Sequence, residues 1–536
     1  MTSVINFCEK NFLNDINSKN FNEFLQTAKL YRMYDILKEI DLFVIKNLLR
    51  ISNDGYLKYL SYEQLLNCIQ HKDLRLKEID LFNLIWKWIQ QNTLSRVVRT
   101  EEQERVKIIR DLMANIRFAL ISPADLVNKI QIIDELMNDS YCRELILHAL
   151  NYHVIPYSQS IQNRINNSIR SPIASILCVG GREINPNPSL HDQCYLMSPP
   201  ASTRRDITML PVASSHHQVV VLNNFLYVLG GCVTQVAHGE SATQNSYRYD
   251  PRFNTWCQIA SMSTKRAYFF ACSVMCRIYA IGGKNRDGAL STAEYYDPML
   301  NKWFNTQQMP SVCHAHSGAV HNNVIYISGG YSQGHFIADL QAYLPDQDQW
   351  DLDLSPMNTA RGWHCMCEAA NRLYVFGGCH LSASQQAQPV MQTEFYEPEF
   401  NQWTIVAPLS NLHKEASCVK YLNSIYIIGG YNIQAKSGQK ITSRYDYVND
   451  TWENIGQLNA GQTGVGCCVI DLPSYLVNND DDDGDECILT NNDRNHENSG
   501  CFYNCETATS DCILNRKPPL SVDEEAKSNR KEESLS

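Results

Sequence analysis

The sequence lacks any long apolar run. No uninterrupted apolar stretch approaches the roughly eighteen to twenty residues that a membrane-spanning helix needs. The first residues contain no basic segment followed by an apolar core, the pattern of a secretory signal. We therefore expect a protein of the cytosol or nucleus that makes no membrane contact. Its 20 cysteines are spread over 536 residues, and without a secretory signal this distribution favours reduced thiols over disulfides.

The sequence also lacks an excess of positive charge. Its net charge is -11, and the 15 acidic and 6 basic residues after position 474 leave 42 acidic and 40 basic residues in the preceding part. A nearly neutral body without a basic stripe argues against nucleic acid as a partner. The segment 475–536 includes "NNDDDDGDE" and is too polar and charged to pack a core, so we predict a disordered acidic tail.

Motifs of several enzyme classes are missing as well. There is no glycine-rich nucleotide loop that leads into a helix, no hydrolase nucleophile elbow and no kinase signature. We therefore predict a protein that is not an enzyme and has no cofactor. A length of 536 residues exceeds what one hydrophobic core usually supports, which implies two or more domains.

The first part of the chain has the periodicity of amphipathic helices. Apolar residues recur at three- and four-residue steps, as Phe24, Ala28, Tyr31, Tyr34 and Leu37 in one stretch and as Ile79, Phe82, Ile85 and Trp86 in another. "SPADL" at Ser122–Leu126 combines a capping serine, a proline at the first helical position and an acid three residues after the serine, which marks a helix start. We predict a helical domain at 18–152 and a connector at 153–172.

The second part of the chain repeats itself. A Gly-Gly pair ends an apolar, β-rich run six times, at intervals of about fifty residues: Gly180 and Gly181, Gly230 and Gly231, Gly282 and Gly283, Gly329 and Gly330, Gly377 and Gly378, Gly429 and Gly430. A tyrosine with a tryptophan seven residues later follows five of the pairs: Tyr249 and Trp256, Tyr296 and Trp303, Tyr343 and Trp350, Tyr396 and Trp403, Tyr445 and Trp452. This combination resembles the kelch repeat, the blade of a β-propeller.

The six repeats predict a six-bladed, all-β propeller at 173–474, and the tyrosines, tryptophans and glycines above are its expected structural residues. The first repeat departs from the pattern, because Arg204 occupies the place of the tryptophan. It also lacks the additional strand that precedes the Gly-Gly strand in every later repeat, because only the connector lies ahead of "SILCVGG". An additional strand remains after the sixth repeat, at Gly464–Leu472, and we predict that it closes the ring by joining the first blade.

Together the helical and repeated parts resemble the BTB-BACK-kelch proteins, the kelch-like family. The stretches "EFLQTAKLYRMYDILKEIDLFVIKN", "RLKEIDLFNLIWKWI", "NIRFALISPADL" and "RGWHCM" carry the resemblance, which is closest to kelch-like proteins 9 and 13, with 26 as a near relative. It implies an all-α BACK domain followed by the six-bladed kelch propeller. It also implies that residues 1–17 are the remnant of the last BTB helix and that the BTB core is missing.

The resemblance implies a function in ubiquitin transfer. Family members are substrate-recognition adaptors of cullin-3 RING ubiquitin ligases, in which the BTB domain dimerises and holds cullin-3 while the propeller binds the substrate protein. The helical pair at about 21–49 also touches the cullin in the family. A missing BTB core leaves cullin-3 binding and dimerisation open. The alternative is a kelch-repeat scaffold or cytoskeletal interaction protein without a ligase role.

One position in each repeat is a candidate for substrate contact. Sixteen residues before each Gly-Gly, in the loop that leads into the first strand of a blade, the chain has Ser214, Arg266, Cys313, Arg361 and His413, with Gln462 at the matching place before the closing strand. Such loops converge at one mouth of the propeller channel, and two arginines there are suited to a carboxylate or phosphate. The alternative is that the arginines only solvate the surface.

Cysteine and histidine clusters suggest metal sites only weakly. Cys365 and Cys367 form a Cys-x-Cys without a second half-site, and strand alternation puts them on one face and His364 on the other. Packing between blades is the favoured interpretation, since free cysteine is often buried. Cys501, Cys505 and Cys512 with His496 match no ligand spacing. We therefore predict no metal.

Overall fold

A computed structural model of the chain describes residues 15–93, 101–162, 167–184, 188–198, 203–235, 239–458 and 460–477. Residues up to Asn479 form one compact unit, which contains the helical domain and the propeller. Residues 1–14 of the predicted BTB remnant and 478–536 of the predicted acidic tail, with Cys501, Cys505, Cys512 and His496, lie outside the described residues, whereas the first three tail residues, 475–477, are helical. None of the described helices is long and apolar enough to cross a membrane.

The amino-terminal half of the described chain is helical. Its helices are α1 (Phe21–Leu30), α2 (Tyr34–Lys46), α3 (Leu48–Asn53), α4 (Tyr62–Gln70), α5 (Glu78–Thr93), α6 (Glu101–Met113), α7 (Pro123–Asp125, continued as a π-helix to Ile130), α8 (Asp134–Asn138) and α9 (Ser140–Val154). Short 3-10 turns occupy Leu57–Tyr59, Phe118–Leu120 and Pro156–Ile161. The Ser122 hydroxyl accepts from the Asp125 N–H at 3.1 Å, as the sequence predicts for this helix start.

The helical half has a hydrophobic core of its own, built from residues between Phe21 and Ala149. The predicted periodicity is wrong at one place. Arg32 has a φ of +54° and separates α1 from α2, so the apolar face does not continue through the junction. Tyr31 and Tyr34 are consequently 70% and 68% exposed instead of buried, while Ala28 and Ile36 enter the core.

The second half is the predicted propeller of six four-stranded antiparallel sheets. Blade 1 contains β1 (Ile173–Val179), β4 (Gln193–Ser198), β5 (Thr203–Met209) and β35 (Gly466–Leu472); blade 2 contains β6 (Gln218–Leu222), β7 (Phe225–Leu229), β8 (Ser246–Asp250) and β9 (Thr255–Gln258); blade 3 contains β10 (Phe270–Val274), β11 (Arg277–Ile281), β14 (Ala293–Asp297) and β15 (Lys302–Asn305).

The remaining blades follow the same order. Blade 4 contains β16 (Ser317–His321), β17 (Val324–Ser328), β20 (Leu340–Leu344) and β21 (Gln349–Asp351); blade 5 contains β22 (Cys365–Ala369), β23 (Arg372–Phe376), β26 (Thr393–Glu397) and β27 (Gln402–Val406); blade 6 contains β28 (Ser417–Tyr421), β29 (Ser424–Ile428), β32 (Ile441–Asp446) and β33 (Thr451–Gln457). One strand of each blade contacts its counterparts in the two neighbouring blades, so these strands surround the centre; they are β6, β10, β16, β22 and β28, the first strands of blades 2 to 6, and β35 in blade 1.

Short strands extend several blades beyond their second strand. They are β2 (Arg182–Glu183) with β3 (Ser189–Leu190) and β34 (Gln462–Thr463), β12 (Lys284–Asn285) with β13 (Gly288–Ala289), β18 (Tyr331–Ser332) with β19 (His335–Phe336), β24 (Cys379–Leu381) with β25 (Ala387–Pro389), and β30 (Tyr431–Asn432) with β31 (Ser437–Gly438). The strand that begins each group, β2, β12, β18, β24 or β30, starts just after a Gly-Gly pair. All the groups therefore lie at the end of the propeller that carries these pairs. A short helix, α10 (Ser474–Val477), follows β35.

The strand from the end of the repeats closes the ring, as the sequence predicts. β35 pairs antiparallel with β1 along its whole length, from Ile173 opposite Leu472 to Val179 opposite Gly466. Arg204 lies opposite Met197 in blade 1, the register that tyrosine and tryptophan occupy elsewhere. Its guanidinium lies 4.2 Å from the centre of the Tyr195 ring, so a cation–π contact replaces the missing aromatic pair.

The five tyrosine–tryptophan pairs are cross-strand neighbours on the third and fourth strands, with ring centres 4.7–5.4 Å apart. The tyrosines are buried, but four of the tryptophans are only half-buried. Each indole N–H donates to the preceding blade; that of Trp403, for example, reaches the Ser355 carbonyl at 2.7 Å. The motif therefore joins neighbouring blades as well as filling a core.

The Gly-Gly pairs mark places where two blades approach closely. All twelve glycines have a positive φ. At Gly230, φ is +60° and a Cβ atom would lie 2.5 Å from the Arg266 carbonyl oxygen of blade 3. The second glycine donates its N–H to the same oxygen at 2.9 Å. A side chain at the first glycine would separate the blades, which explains why the repeat requires glycine there.

Gly230→Ala is expected to destabilise the propeller through this approach. The substitution combines a left-handed backbone with a contact against backbone oxygen, and we expect a loss of more than about 2 kcal/mol in the free energy of unfolding. Gly334→Ala is the matched control, because Gly334 has a φ of +91° but open space around its Cβ position. Urea unfolding followed by tryptophan fluorescence measures both; equal losses would show that the blade contact contributes nothing.

Candidate binding site

The six residues predicted to contact a substrate occupy equivalent positions in the six blades. The backbone carbonyl of each accepts a hydrogen bond of 2.7–2.9 Å from the second glycine of the preceding blade, in the pairs Gly181–Ser214, Gly231–Arg266, Gly283–Cys313, Gly330–Arg361, Gly378–His413 and Gly430–Gln462. The six positions are therefore structurally equivalent, as the repeat predicts. The physical basis of this equivalence is the contact between blades.

The side chains at these positions are buried rather than presented to solvent. Their exposed fractions are between 0% and 5%, for Ser214, Arg266, Cys313, Arg361, His413 and Gln462. Several of them turn back to the first glycine of their own blade. Arg266 donates to the Gly282 carbonyl at 2.8 Å, and His413 Nδ1 lies 2.9 Å from the Gly429 carbonyl. The position thus connects two successive Gly-Gly pairs.

The two arginines are the clearest example. Arg266 Nη2 lies 2.6 Å from Glu294 Oε1, and Arg361 Nη2 lies 2.6 Å from Glu394 Oε1. Burial lowers the pKa of both guanidinium groups, while the facing carboxylates oppose that shift. Each carboxylate also accepts from a backbone N–H, of Ser263 in blade 3 and of Asn358 in blade 5. Both ion pairs are therefore hydrogen-bonded parts of the blade interior, although Arg266 Nε has no acceptor among the described residues.

This geometry corrects the expected placement of the arginines at an open mouth. Neither guanidinium has surface with which to hold a ligand, and the alternative of simple solvation fails for the same reason. The repeat pattern alone does not distinguish an arginine in the channel from one that points into the blade. The sequence does contain the ion-pair partner of each arginine, because a glutamate follows at a similar distance, Glu294 after Arg266 and Glu394 after Arg361.

The residue two places further on lies at the mouth instead. Residues His216, Tyr268, Ala315, Trp363, Glu415 and Gly464 all have a φ between +53° and +62°. Each donates its backbone N–H to the carbonyl of the equivalent residue in the preceding blade, at 2.8–3.3 Å, and the last bond, from His216 to Gly464, closes the circle. This closed set of six hydrogen bonds, the mouth ring, surrounds the channel at the end where the first strands begin.

The side chains of the mouth ring differ greatly in size. Gly464 has no side chain, and a Cβ atom there would lie 2.7 Å from the imidazole of His216. His216 Nε2 therefore reaches Glu415 Oε2 at 3.1 Å across blade 1, and on its other side the His216 ring lies 4.4 Å from that of Tyr268. Ala315 is the small residue on the opposite side of the ring.

Glu415 is the centre of charge at the mouth. Lys414 Nζ lies 3.0 Å from it and Arg182 Nη2 3.7 Å, and the Thr463 hydroxyl donates to it at 2.9 Å. Burial raises the pKa of Glu415, but His216, Lys414 and Arg182 outweigh burial and hold that pKa well below its usual range. Burial lowers the pKa of His216. At neutral pH Glu415 is therefore a carboxylate with two cations beside it, Lys414 and Arg182.

Aromatic side chains form the rest of the mouth, over blades 4 to 6. We define the mouth cluster as Tyr331, Phe336, Trp363, Lys414 and Tyr431, all partly exposed. Ring centres lie 5.1 Å apart for Tyr331 and Phe336 and 5.6 Å for Phe336 and Trp363. The ammonium of Lys414 lies 4.3 Å above the Trp363 ring and 5.7 Å from Tyr431.

The Cys-x-Cys pair is placed by packing between blades, the favoured interpretation. Cys365 and Cys367 point toward blade 6, where Cys365 Sγ donates to the Ala416 carbonyl at 3.3 Å. His364 points the other way, toward Ser328 of blade 4. Among the described residues no group of histidine, cysteine, aspartate or glutamate side chains is arranged to hold a metal ion.

Comparison with known proteins identifies both halves of the chain. A family profile described as "BTB And C-terminal Kelch" matches residues 21–131, and one described as "KLHDC2/KLHL20/DRC7 Kelch-repeats domain" matches residues 173–378. Kelch-like protein 26 of Danio rerio is 32% identical over 88% of this chain and 77% of that protein. Kelch-like protein 36 of Bos taurus is 30% identical over 88% and 76%, and kelch-like protein 9 of Mus musculus is 30% identical over 87% and 74%.

Arg361→Ala is expected to destabilise the propeller rather than only weaken binding. The substitution leaves Glu394 buried without its partner, which costs about 3–5 kcal/mol in the free energy of unfolding. Arg361→Met with Glu394→Gln removes both charges and should recover a large part of that loss. Arg372→Met is the control in the same blade, because its ion pair with Glu397 is partly exposed and contributes less than about 1 kcal/mol. Urea unfolding separates the three; an Arg361→Ala variant as stable as the parent would contradict the assignment.

Proposed function

The chain belongs to the kelch-like family, and on this premise we propose that it is a substrate-recognition adaptor of a cullin-3 RING ubiquitin ligase. In this proposal the propeller mouth binds the substrate protein and the helical domain contacts cullin-3. The observation that carries the proposal is the rigid attachment of the helical domain to the end of the propeller opposite the mouth.

The connector that joins the two parts is packed on its propeller side. Ser158, Gln159 and Ser160 are buried in the 3-10 turn that follows α9. Ser160 accepts from the Tyr227 hydroxyl at 2.8 Å and, through its carbonyl, from the side-chain amide of Asn223 at 2.6 Å. Asn223 lies in the turn after β6, whose other end begins at the mouth. The helical domain is therefore attached to the opposite face of blade 2.

A buried arginine reinforces this attachment. Arg252, in the turn after β8, lies 2.6 Å from Asp250 and donates to the Tyr152 hydroxyl of α9 and to the Gln159 side chain. Arg248 donates to the same Gln159 oxygen at 3.0 Å. Because buried, hydrogen-bonded charges are costly to separate, these contacts hold α9 and blade 2 as one body.

The connector is also tied to the helical domain. Arg170 Nε lies 2.9 Å from Glu78 Oε1 of α5, and both side chains are buried. The same guanidinium donates to the carbonyls of Ile69 and Asn115, at 2.7 and 3.0 Å. A substrate held at the mouth would thus keep a fixed orientation relative to the helical domain, which is what transfer of ubiquitin to a bound protein requires.

An apolar surface on the helical domain supports the cullin contact in this proposal. Leu30, Tyr31 and Tyr34, at the junction of α1 and α2, are 75%, 70% and 68% exposed. They lie in the helical pair that touches the cullin in the family. Exposed tyrosine and leucine side chains grouped at one place are typical of an unoccupied protein–protein interface.

We expect the purified chain to capture the amino-terminal domain of cullin-3 through this surface. Leu30→Ser with Tyr34→Ser should weaken capture by about tenfold, since the loss of interface anchors has effects of this size. Phe400→Ser, which changes an equally exposed side chain on the propeller, should leave capture unchanged. Biolayer interferometry measures the three proteins. If the unmodified chain does not bind, the ligase role is refuted and a role as a kelch scaffold is favoured.

A further inference from the structure

The mouth cluster contains polar donors whose capacity the described residues do not use. Among the described residues, the buried indole N–H of Trp363 has no acceptor, and neither has the Nε–H of Arg182, which lies outside the cluster but near Glu415. Lys414 has three N–H donors, and its charged partner among the described residues is Glu415. A buried donor without an acceptor is costly, and an acceptor supplied by a ligand would remove that cost.

The charge at the mouth defines what kind of acceptor fits. Lys414 and Arg182 carry two positive charges and Glu415 one negative charge, while burial favours the neutral form of His216. The two cations around Glu415 thus exceed its single negative charge, and Lys414, one of them, lies 4.3 Å above the Trp363 ring. An anionic oxygen is the acceptor that gains most from a cation and an N–H together.

The rings of the mouth cluster define the second feature of the ligand. Tyr331, Phe336 and Trp363 meet at tilted angles and keep part of their surface exposed on the same side of the mouth as Lys414. They lie on a hairpin of blade 4 and on the mouth ring, both of which are held by backbone hydrogen bonds. Rigid aromatic surface of this kind buries an apolar side chain at little entropic cost.

A nucleic acid does not fit these observations. Binding to a phosphate backbone draws on several cations along a strip, whereas Lys414 and Arg182 both lie within 4 Å of one carboxylate, that of Glu415. A single carboxylate beside an apolar side chain matches both the one remaining charge and the aromatic surface.

We propose that the mouth cluster binds a protein segment in which an apolar or aromatic side chain lies next to an aspartate or glutamate. The apolar side chain packs on Phe336 and Trp363, and the carboxylate accepts from the Trp363 indole and from Lys414. The inference rests on the proposed function and names the class of substrate that this function selects. Arg266 and Arg361, buried in their blades, take no part in it.

A phage-displayed library of random dodecapeptides, selected on the purified full chain, tests the specificity. We expect enriched sequences to carry an acidic residue adjacent to an apolar or aromatic one, and we expect a selected peptide to bind more weakly as the salt concentration rises. Enrichment of sequences without an acidic residue, or a selection that yields no mouth-dependent peptide, would overturn the proposal.

Two conservative variants test the residues, with fluorescence anisotropy of a labelled selected peptide as the measurement. Trp363→Phe keeps a ring and removes the N–H, and Lys414→Met keeps the aliphatic stem and removes the charge. Each should raise the Kd about tenfold, the usual effect of one charge-assisted hydrogen bond. Arg286→Met is the control, because it removes an exposed charge from the hairpin of blade 3 at the same end of the propeller.

Thermal unfolding of each variant shows whether a weaker Kd reflects loss of the fold. Unchanged Kd values for both Trp363→Phe and Lys414→Met would refute the assignment of the site. Capture of cullin-3 depends on Leu30 and Tyr34 of the helical domain, so it continues if only the mouth assignment fails. Loss of cullin capture with intact peptide binding would instead refute the ligase role.

Discussion

The hydrogen bond from the second glycine of one blade to a carbonyl of the next blade is the contact on which the propeller depends. It occurs six times at 2.7–2.9 Å, and the first glycine of each pair makes room for it. Because neighbouring blades meet through backbone atoms at this place, their separation does not vary with side-chain size. The residues of the mouth ring lie two positions further along the chain, so the distance between neighbouring blades is the same there. This constant distance allows the six hydrogen bonds of the ring to form a closed circle.

Because the backbone is the same in all six blades, the blades differ at the mouth through the side chains of the mouth ring. Gly464 and Ala315 lie on opposite sides of the ring, and each leaves space because it has no side chain or a small one. The larger side chains beside each of them are arranged differently. Above blade 1, His216 and Glu415 meet and bring Lys414 and Arg182 with them. On the side of blades 4 to 6 the rings of Phe336 and Trp363 remain partly exposed. Charge and apolar surface are thus side by side on a rigid frame.

The repeats could be predicted from the sequence because the geometry of the backbone requires particular residues at fixed positions in every blade. Glycine is required wherever two blades approach, and tyrosine with tryptophan recurs because each pair joins a sheet to its neighbour, so period and fold are visible in one dimension. The direction of a side chain is not visible in this way. Arg266 and Arg361 occupy the same repeat position as a ligand-binding loop residue would, and only the position of Glu294 and Glu394 in the folded blade decides where they point. The sequence likewise does not show that Trp363, two residues before β22, has a φ of +53° and belongs to the mouth ring.

The strand that closes the ring affects how the protein is made. β1 and β35 lie at opposite ends of the propeller sequence, and the first blade is incomplete until both are present. The helical domain has a core of its own that is complete by Ala149, so during synthesis it is available to fold long before the propeller. Blades 2 to 6 then leave the ribosome in order, and each of them lacks a neighbouring blade on one side until the next one has been synthesised. A ribosome that stops before Gly466 releases a chain with an unpaired β1 edge, the kind of surface that chaperones bind and that promotes aggregation.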